Sequence, residues 1–203
     1  MRSGRVSSIT TTTISLLEGL HDRADDLHWT EFCRRYLPPL TAFIRRMGIR
    51  PHDAEEVAQE TLVAFAEGYR AGRYDPAKGR LRTYLMGVAK NKIADVNRRR
   101  RKEAAALGGT GGMDCLLQAL DERSAEQAWE EEWRDALLRA CLEEVRKEVE
   151  PKTMRIFELY ALEGRKPAEI AEELGVSRDL VYQVKTRVIY RMSELRRILD
   201  DCW

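Results

Sequence analysis

The sequence predicts an all-α chain of two helical domains joined by a flexible linker, and three observations carry that reading. Ala, Leu, Glu, Lys and Arg make up 100 of the 203 residues, the share found in chains built mainly from helices. Apolar residues recur at three- and four-residue steps rather than alternating. Leu107-Gly108-Gly109-Thr110-Gly111-Gly112 puts four glycines into six residues, a stretch that cannot hold a helix. The predicted division is a polar, disordered tail at 1–13, a first domain at 14–102, a linker at 103–126 and a second domain at 127–203.

The formal charge of +1 conceals strong local imbalance. Arg73 to Lys102 carries eleven basic and two acidic residues, a sum of +9, whereas Asp114 to Glu150 carries twelve acidic and five basic, a sum of −7. Such blocks show that the near-zero sum hides an uneven distribution of charge, with a strongly basic stretch suited to a polyanion. No apolar run approaches the roughly 18 residues needed to cross a bilayer, and the tail has no apolar signal core. Cys33, Cys115, Cys141 and Cys202 form no Cys-x-x-Cys pair, and His21, His28 and His52 add no ligand spacing, so no metal or cofactor is expected. The composition reads as a cytoplasmic protein with reduced thiols and no membrane insertion.

In the first domain, Trp29, Phe32, Tyr36, Leu40, Phe43, Ile44 and Met47 mark the core side of one or two helices, interrupted near Pro38-Pro39. Pro51-His52-Asp53 is a helix start with Asp53 as the expected N-cap. In the helix that follows, Ala54, Val57, Ala58, Thr61, Leu62 and Phe65 fall on one face. Glu56, Glu60, Val63 and Glu67 fall opposite, with Asp53 at the edge. No Lys or Arg lies between His52 and Tyr69 to neutralise that stripe, so it reads either as a solvated face or as a docking face for a basic helix.

The basic block opens with a turn-rich loop, Arg73 to Arg80, including Lys78. A helix of about twenty residues follows, from Leu81 to roughly Arg101. Leu81, Leu85, Val88, Ala89 and Val96 mark its buried side, and Lys92 falls in that sector without an evident reason. Another face carries Thr83, Tyr84, Gly87, Asn91, Ala94 and Arg98, with Asp95 at its edge. Tyr84 offers a stacking surface, Asn91 a paired donor and acceptor, and Gly87 and Ala94 keep the surface low enough for a base. Arg98, Arg99, Arg100, Arg101 and Lys102 suit phosphates, since five adjacent cations exceed what a helix dipole requires.

The second domain begins with an acidic helix bearing Trp129, Trp133, Leu137, Leu138, Cys141, Leu142 and Val145, ending before Pro151. Another helix, with Met154, Ile156, Phe157, Tyr160 and Leu162, stops at Gly164. Pro167 to Val184 has the pattern of a helix-turn-helix: Pro167 in a first turn, small Ala171 at the crossing, Gly175 in the turn, Ser177 as cap, and Ile170, Leu174, Val176, Val181 and Val184 as core. Helical phase buries Val181, Val184, Val188, Met192, Leu195 and Leu199. It leaves Arg178, Asp179, Tyr182, Gln183 and Thr186 to face a major groove, and Lys185, Arg187 and Arg191 to meet phosphates.

Taken in order, Asp53-Ala54-Glu55-Glu56-Val57-Ala58-Gln59-Glu60-Thr61, Tyr74-Asp75-Pro76-Ala77-Lys78-Gly79, the helix around Ala89-Lys90-Asn91 with its Arg run, a linker and a C-terminal helix-turn-helix resemble a bacterial RNA polymerase sigma factor. The likeness is to the extracytoplasmic-function (ECF) group of the sigma-70 family, which has only the domains called sigma 2 and sigma 4. The resemblance implies that Asp53, Glu56, Gln59, Glu60 and Leu62 dock on the clamp helices of the polymerase largest subunit. It implies that the loop from Tyr74 to Leu81, with the helix through Asn91 and Asp95, opens promoter DNA near −10 and captures a flipped base. It further implies that the helix-turn-helix reads the −35 element, that the flap is a second polymerase contact, and that an anti-sigma factor is a possible partner. Where many relatives carry Phe and Trp after the loop, this chain has Leu81 and Tyr84.

Two other readings compete. A stand-alone helix-turn-helix repressor or activator accounts for the C-terminal domain but leaves the basic helix and acidic stripe without purpose. A nucleic-acid-processing enzyme lacks a site, because no His adjoins an acidic cluster and no Gly-rich phosphate loop precedes a Lys-Ser/Thr pair. The expectation is therefore a protein that is not itself an enzyme.

Overall fold

A computed structural model describes residues 13–22, 26–75, 77–106 and 122–202. These residues form helices α1 (Thr13–Gly19), α2 (Asp26–Arg46), α3 (Pro51–Arg70), α4 (Leu81–Ala106), α5 (Glu122–Glu148), α6 (Pro151–Phe157), a π turn (Glu158–Leu162), α7 (Pro167–Leu174) and α8 (Arg178–Cys202), with no strand among them. The all-α expectation holds. The tail to residue 12 and the glycine run at 107–112 lie outside the described residues. No helix among the described residues is long and apolar enough to cross a membrane.

The first compact unit extends to Ala136. Its core joins Phe32, Tyr36, Leu40, Phe43 and Ile44 of α2 to Ala54, Ala58, Leu62 and Phe65 of α3 and Leu85 and Ala89 of α4, all fully buried. The Phe32 and Phe65 rings stack with centroids 5.3 Å apart. Contrary to the expected interruption, α2 runs unbroken through Pro38 and Pro39. Each proline costs a helix interior about 3 kcal/mol or more, and the buried stripe on both sides of the pair offsets that cost by packing.

Asp53 is not an N-cap. α3 starts at Pro51, after Arg50, with no side-chain cap bond, because proline presets the helical φ of a first turn. The Asp53 carboxylate instead accepts from the Arg100 guanidinium at 2.6 Å. α4 is longer than expected and ends at Ala106, and α5 begins at Glu122, so helix occupies both ends of the expected linker.

The chain divides between Ala136 and Leu137, within α5, and not near residue 127. Tryptophan packing explains the difference. Trp129 and Trp133 are each 1 % exposed and belong to the core of the first unit. Trp133 stacks on Tyr36 at 5.7 Å, and Trp129 meets Phe43 edge-on at 5.3 Å. Arg46 pairs with Glu131 and Glu132, and Arg82 with Glu130, at 2.7, 3.2 and 3.5 Å. Exposed pairs of this kind contribute about 0.2–1 kcal/mol each, so the indoles hold this stretch of α5.

In the second unit, from Leu137 on, the buried residues are Leu137, Cys141 and Val145 of α5, Met154, Ile156 and Phe157 of α6, Leu159 of the π turn, Ile170 of α7, and Val181, Val184, Val188, Leu195 and Leu199 of α8. α6, the π turn and α7 all pack on α8. The helix-turn-helix elements take their expected places. Pro167 opens α7, Gly175 adopts the left-handed conformation at φ 61, and Ser177 Oγ accepts from the Leu180 N–H at 3.1 Å.

Candidate nucleic-acid interface

The loop before α4 is built on tyrosine. Tyr74 is buried, its hydroxyl donates to the Gly79 carbonyl at 3.1 Å, and burial pushes its pKa up to about 12, which keeps the proton on that donor. Asp75 Oδ1 accepts from the Ala77 N–H at 2.9 Å, a side-chain turn that shapes the tip. Tyr84 lies half-buried with its ring 5.1 Å from Tyr74 and 5.8 Å from Phe65. Loop and helix together wall a cleft of about 650 Å³ lined by Arg73, Lys78, Arg80, Tyr84, Lys90 and Asn91. Four expected residues, Lys78, Arg80, Tyr84 and Asn91, thus come together around one space. The size suits a nucleobase with its sugar, flanked by cations, beside one aromatic ring and one amide.

Arg73 and Lys90 were missed by the sequence reading. Lys90 was legible, since Thr83, Gly87 and Lys90 follow one helical phase, but Arg73 depends on how the loop folds. Gly87 also lines the cleft, and a Cβ there would meet no protein atom within 4 Å. Packing within the protein does not require this glycine. Gly87→Ala is expected to raise stability by about 0.5–1 kcal/mol. Gly87→Leu, which fills the cleft, is expected to weaken single-stranded DNA capture with folding intact; unfolding curves and strand-binding titrations on both variants check this.

The remaining expected residues of α4 lie outside the cleft lining. Asp95 pairs with Arg98 at 2.7 Å on the exposed surface, Arg99 and Arg101 are exposed, and Arg100 folds back on Asp53. Arg100 is therefore a tie between α3 and α4, with a side chain only 22 % exposed, a correction to its expected place among the phosphate-facing cations. Lys92, unexplained in the sequence, is half-buried and reaches Glu60 of α3 at 3.2 Å, so its amine finds a carboxylate at the partly exposed edge of its sector.

These two ties also change the acidic face of α3. Asp53 and Glu60 are engaged by α4, while Glu56 and Gln59 are exposed, as are Val63 (46 %) and Glu67. Leu62, expected on the docking surface, is fully buried; the stripe containing Ala58 and Phe65 claims it, so it cannot meet a partner.

On α8, Arg178, Asp179, Tyr182, Gln183, Thr186 and Arg187 are exposed, as helical phase requires, and Ser177 serves as cap. Thr186 Oγ1 donates back to the Tyr182 carbonyl at 3.1 Å. Lys185 is half-buried, its amine 4.8 Å from the Tyr160 ring centroid. Arg191 departs from its expected role. It makes a two-pronged bond to Glu148 at 2.6 and 2.7 Å and reaches Glu194 at 3.2 Å, and its hydrogen bonds hold the Glu148 carboxyl below the usual range. It fastens α5 to α8 instead of meeting phosphate.

Residues 32–103 match the family model for sigma-70 region 2. The chain is 24 % identical over 92 residues, 45 % of its own length, to the ECF RNA polymerase sigma factor RpoE of Cereibacter sphaeroides, and that match spans 50 % of the relative. It is 25 % identical over 189 residues to the ECF RNA polymerase sigma factor SigE of Mycolicibacterium smegmatis, covering 93 % of this chain and 68 % of that one. Among solved structures, CnrH in complex with the cytosolic domain of CnrY aligns over 91 % of this chain and 96 % of its own, at 19 % identity and a TM-score of 0.36.

Proposed function

We propose that the chain, whose residues 32–103 match sigma-70 region 2 and which resembles two extracytoplasmic-function sigma factors, is a sigma factor of that group that binds core RNA polymerase in the cytoplasm and directs promoter recognition, DNA opening and transcription initiation. The polymerase supplies catalysis; this chain supplies sequence selection. The observation that carries the reading is the cleft, where basic loop residues, the Tyr84 ring and the Asn91 amide surround a space of about 650 Å³. A base unstacked near −10 costs a few kcal/mol to extrude, and stacking with hydrogen bonds to its edge offsets that cost. A stand-alone repressor leaves this cleft without a task.

The other surfaces take consistent roles. Arg178, Tyr182 and Gln183 on α8 read the −35 element, each direct base contact contributing about 1–3 kcal/mol of discrimination. Lys185 and Arg187 meet the flanking phosphates. The exposed acids Glu56 and Glu67, with Gln59 and Val63, dock on the basic clamp helices of the largest subunit, and the second unit meets the flap. An anti-sigma factor would compete for the same acidic face. Two weak DNA contacts tethered to one enzyme act as a strong one through effective concentration.

Footprinting tests this reading. Core polymerase with the chain is expected to protect promoter DNA at −35 and −10, whereas neither component alone does. Protection by the free chain at a single palindromic site would favour a repressor. Arg178→Ala is expected to shift the −35 preference by about 1–3 kcal/mol at one base pair, measured by binding to a library of −35 variants; an unchanged profile would remove Arg178 from the reading face.

A further inference from the structure

We infer that Tyr160, on the π turn, is a positioning residue for promoter reading, holding Tyr182 and Lys185 of α8 in the conformation that meets DNA. The inference rests on α8 being the promoter-facing helix. The Tyr160 ring meets Tyr182 at a centroid distance of 5.7 Å and an interplanar angle of 87°, the edge-to-face arrangement that aromatic quadrupoles favour. The Lys185 amine sits 4.8 Å from the same ring's centroid, within cation–π range. Residues three apart share a helix face, so one ring engages two adjacent side chains of α8.

Both partners need such support. Tyr182 is 51 % exposed, and an exposed tyrosine on a helix samples more than one χ1 well unless a neighbour selects one. Lys185 has a flexible four-carbon stem whose ordering costs entropy whenever it binds. A ring that fixes both before DNA arrives lowers the cost of reading.

The backbone that presents Tyr160 is itself secured. The Glu163 N–H donates to the Glu158 carbonyl at 2.9 Å, the five-residue spacing of a π turn, a rare geometry that recurs at functional sites. Arg146 pairs with Glu158 at 2.6 Å and Arg155 with Glu163 at 3.0 Å, so an arginine holds each end. Leu159, fully buried beside Tyr160, anchors the middle.

The test uses the full chain bound to core polymerase and a set of promoters varied at −35. Loss of the ring in Tyr160→Leu or Tyr160→Gln, both tolerable at a half-exposed position, is expected to reduce the preference for the best −35 sequence about three- to tenfold. Tyr160→Phe is expected to retain it, because the ring and not the hydroxyl makes both contacts. In a double-mutant cycle, Tyr160→Leu and Tyr182→Ala are expected to cost less together than the sum of their separate losses, the part not shared being the support of Lys185. An unchanged preference in both ring-less variants, or additive losses in the cycle, would overturn the inference while the role of α8 stands, provided Gln183→Ala still alters the preference. A wild-type holoenzyme indifferent to the −35 sequence would overturn both.

Discussion

Trp133→Ala is expected to lower the unfolding free energy of the first unit by about 3–5 kcal/mol, the cost of deleting a fully buried large aromatic. The side chain is 1 % exposed and stacks on Tyr36, which is itself fully buried in the α2 stripe. Truncation removes the stacking partner and leaves a cavity beside Tyr36 and Trp129, whose rings lie 5.7 and 5.3 Å from Trp133. Trp133→Phe, which keeps a ring, is expected to cost less. Hydrogen exchange along α2 and α3 reports the effect where it matters. If protection of Phe32 to Ile44 is unchanged in Trp133→Ala, the first stretch of α5 is not part of that core.

Asn91→Ala is expected to reduce open-complex formation roughly 5- to 150-fold, corresponding to about 1–3 kcal/mol for a lost paired hydrogen bond to a base, with binding to core polymerase unchanged. Asn91 is exposed at the cleft and makes no packing contribution to the core, so folding should be untouched. The amide can donate and accept at once, a capacity neither Arg80 nor Lys78 at the same cleft possesses. Permanganate reactivity of unpaired thymines reads the opening, and co-elution with core polymerase reads the docking. Equal losses in both would mean that Asn91 supports the polymerase contact and not strand capture.

What the residues disclosed in advance follows a physical divide. Features set within one element or one turn were legible: the α3 stripe, the left-handed Gly175, the Ser177 cap and the outward set on α8 follow from helical period and local hydrogen bonding. Features set by partners far along the chain were not. Asp53 meets Arg100 across 47 positions, Glu60 meets Lys92 across 32, and Arg191 meets Glu148 across 43, and nothing in local pattern announces such pairings. Leu62 shows the same limit in reverse. Family likeness assigned it to a surface, while its phase with Ala58 and Phe65 buries it completely. Trp129 and Trp133 sit on a helix whose charge resembles its C-terminal half, yet the shape of the first core decides where they belong.

The cancellation of charge in the sequence has a functional counterpart. Acidic side chains of α3 take up Arg100 and Lys92, so fewer cations face DNA than the block sum suggests, and the free chain should hold promoter DNA weakly and in a salt-sensitive way. On the proposed function, specific initiation would depend on assembly with the polymerase. The most direct measurement is transcription by sigma-free core RNA polymerase supplied with this chain on a pool of promoter fragments. The account predicts transcripts from defined start sites that require both components and are diminished by Asn91→Ala. Transcripts no different from those of core polymerase alone would contradict it.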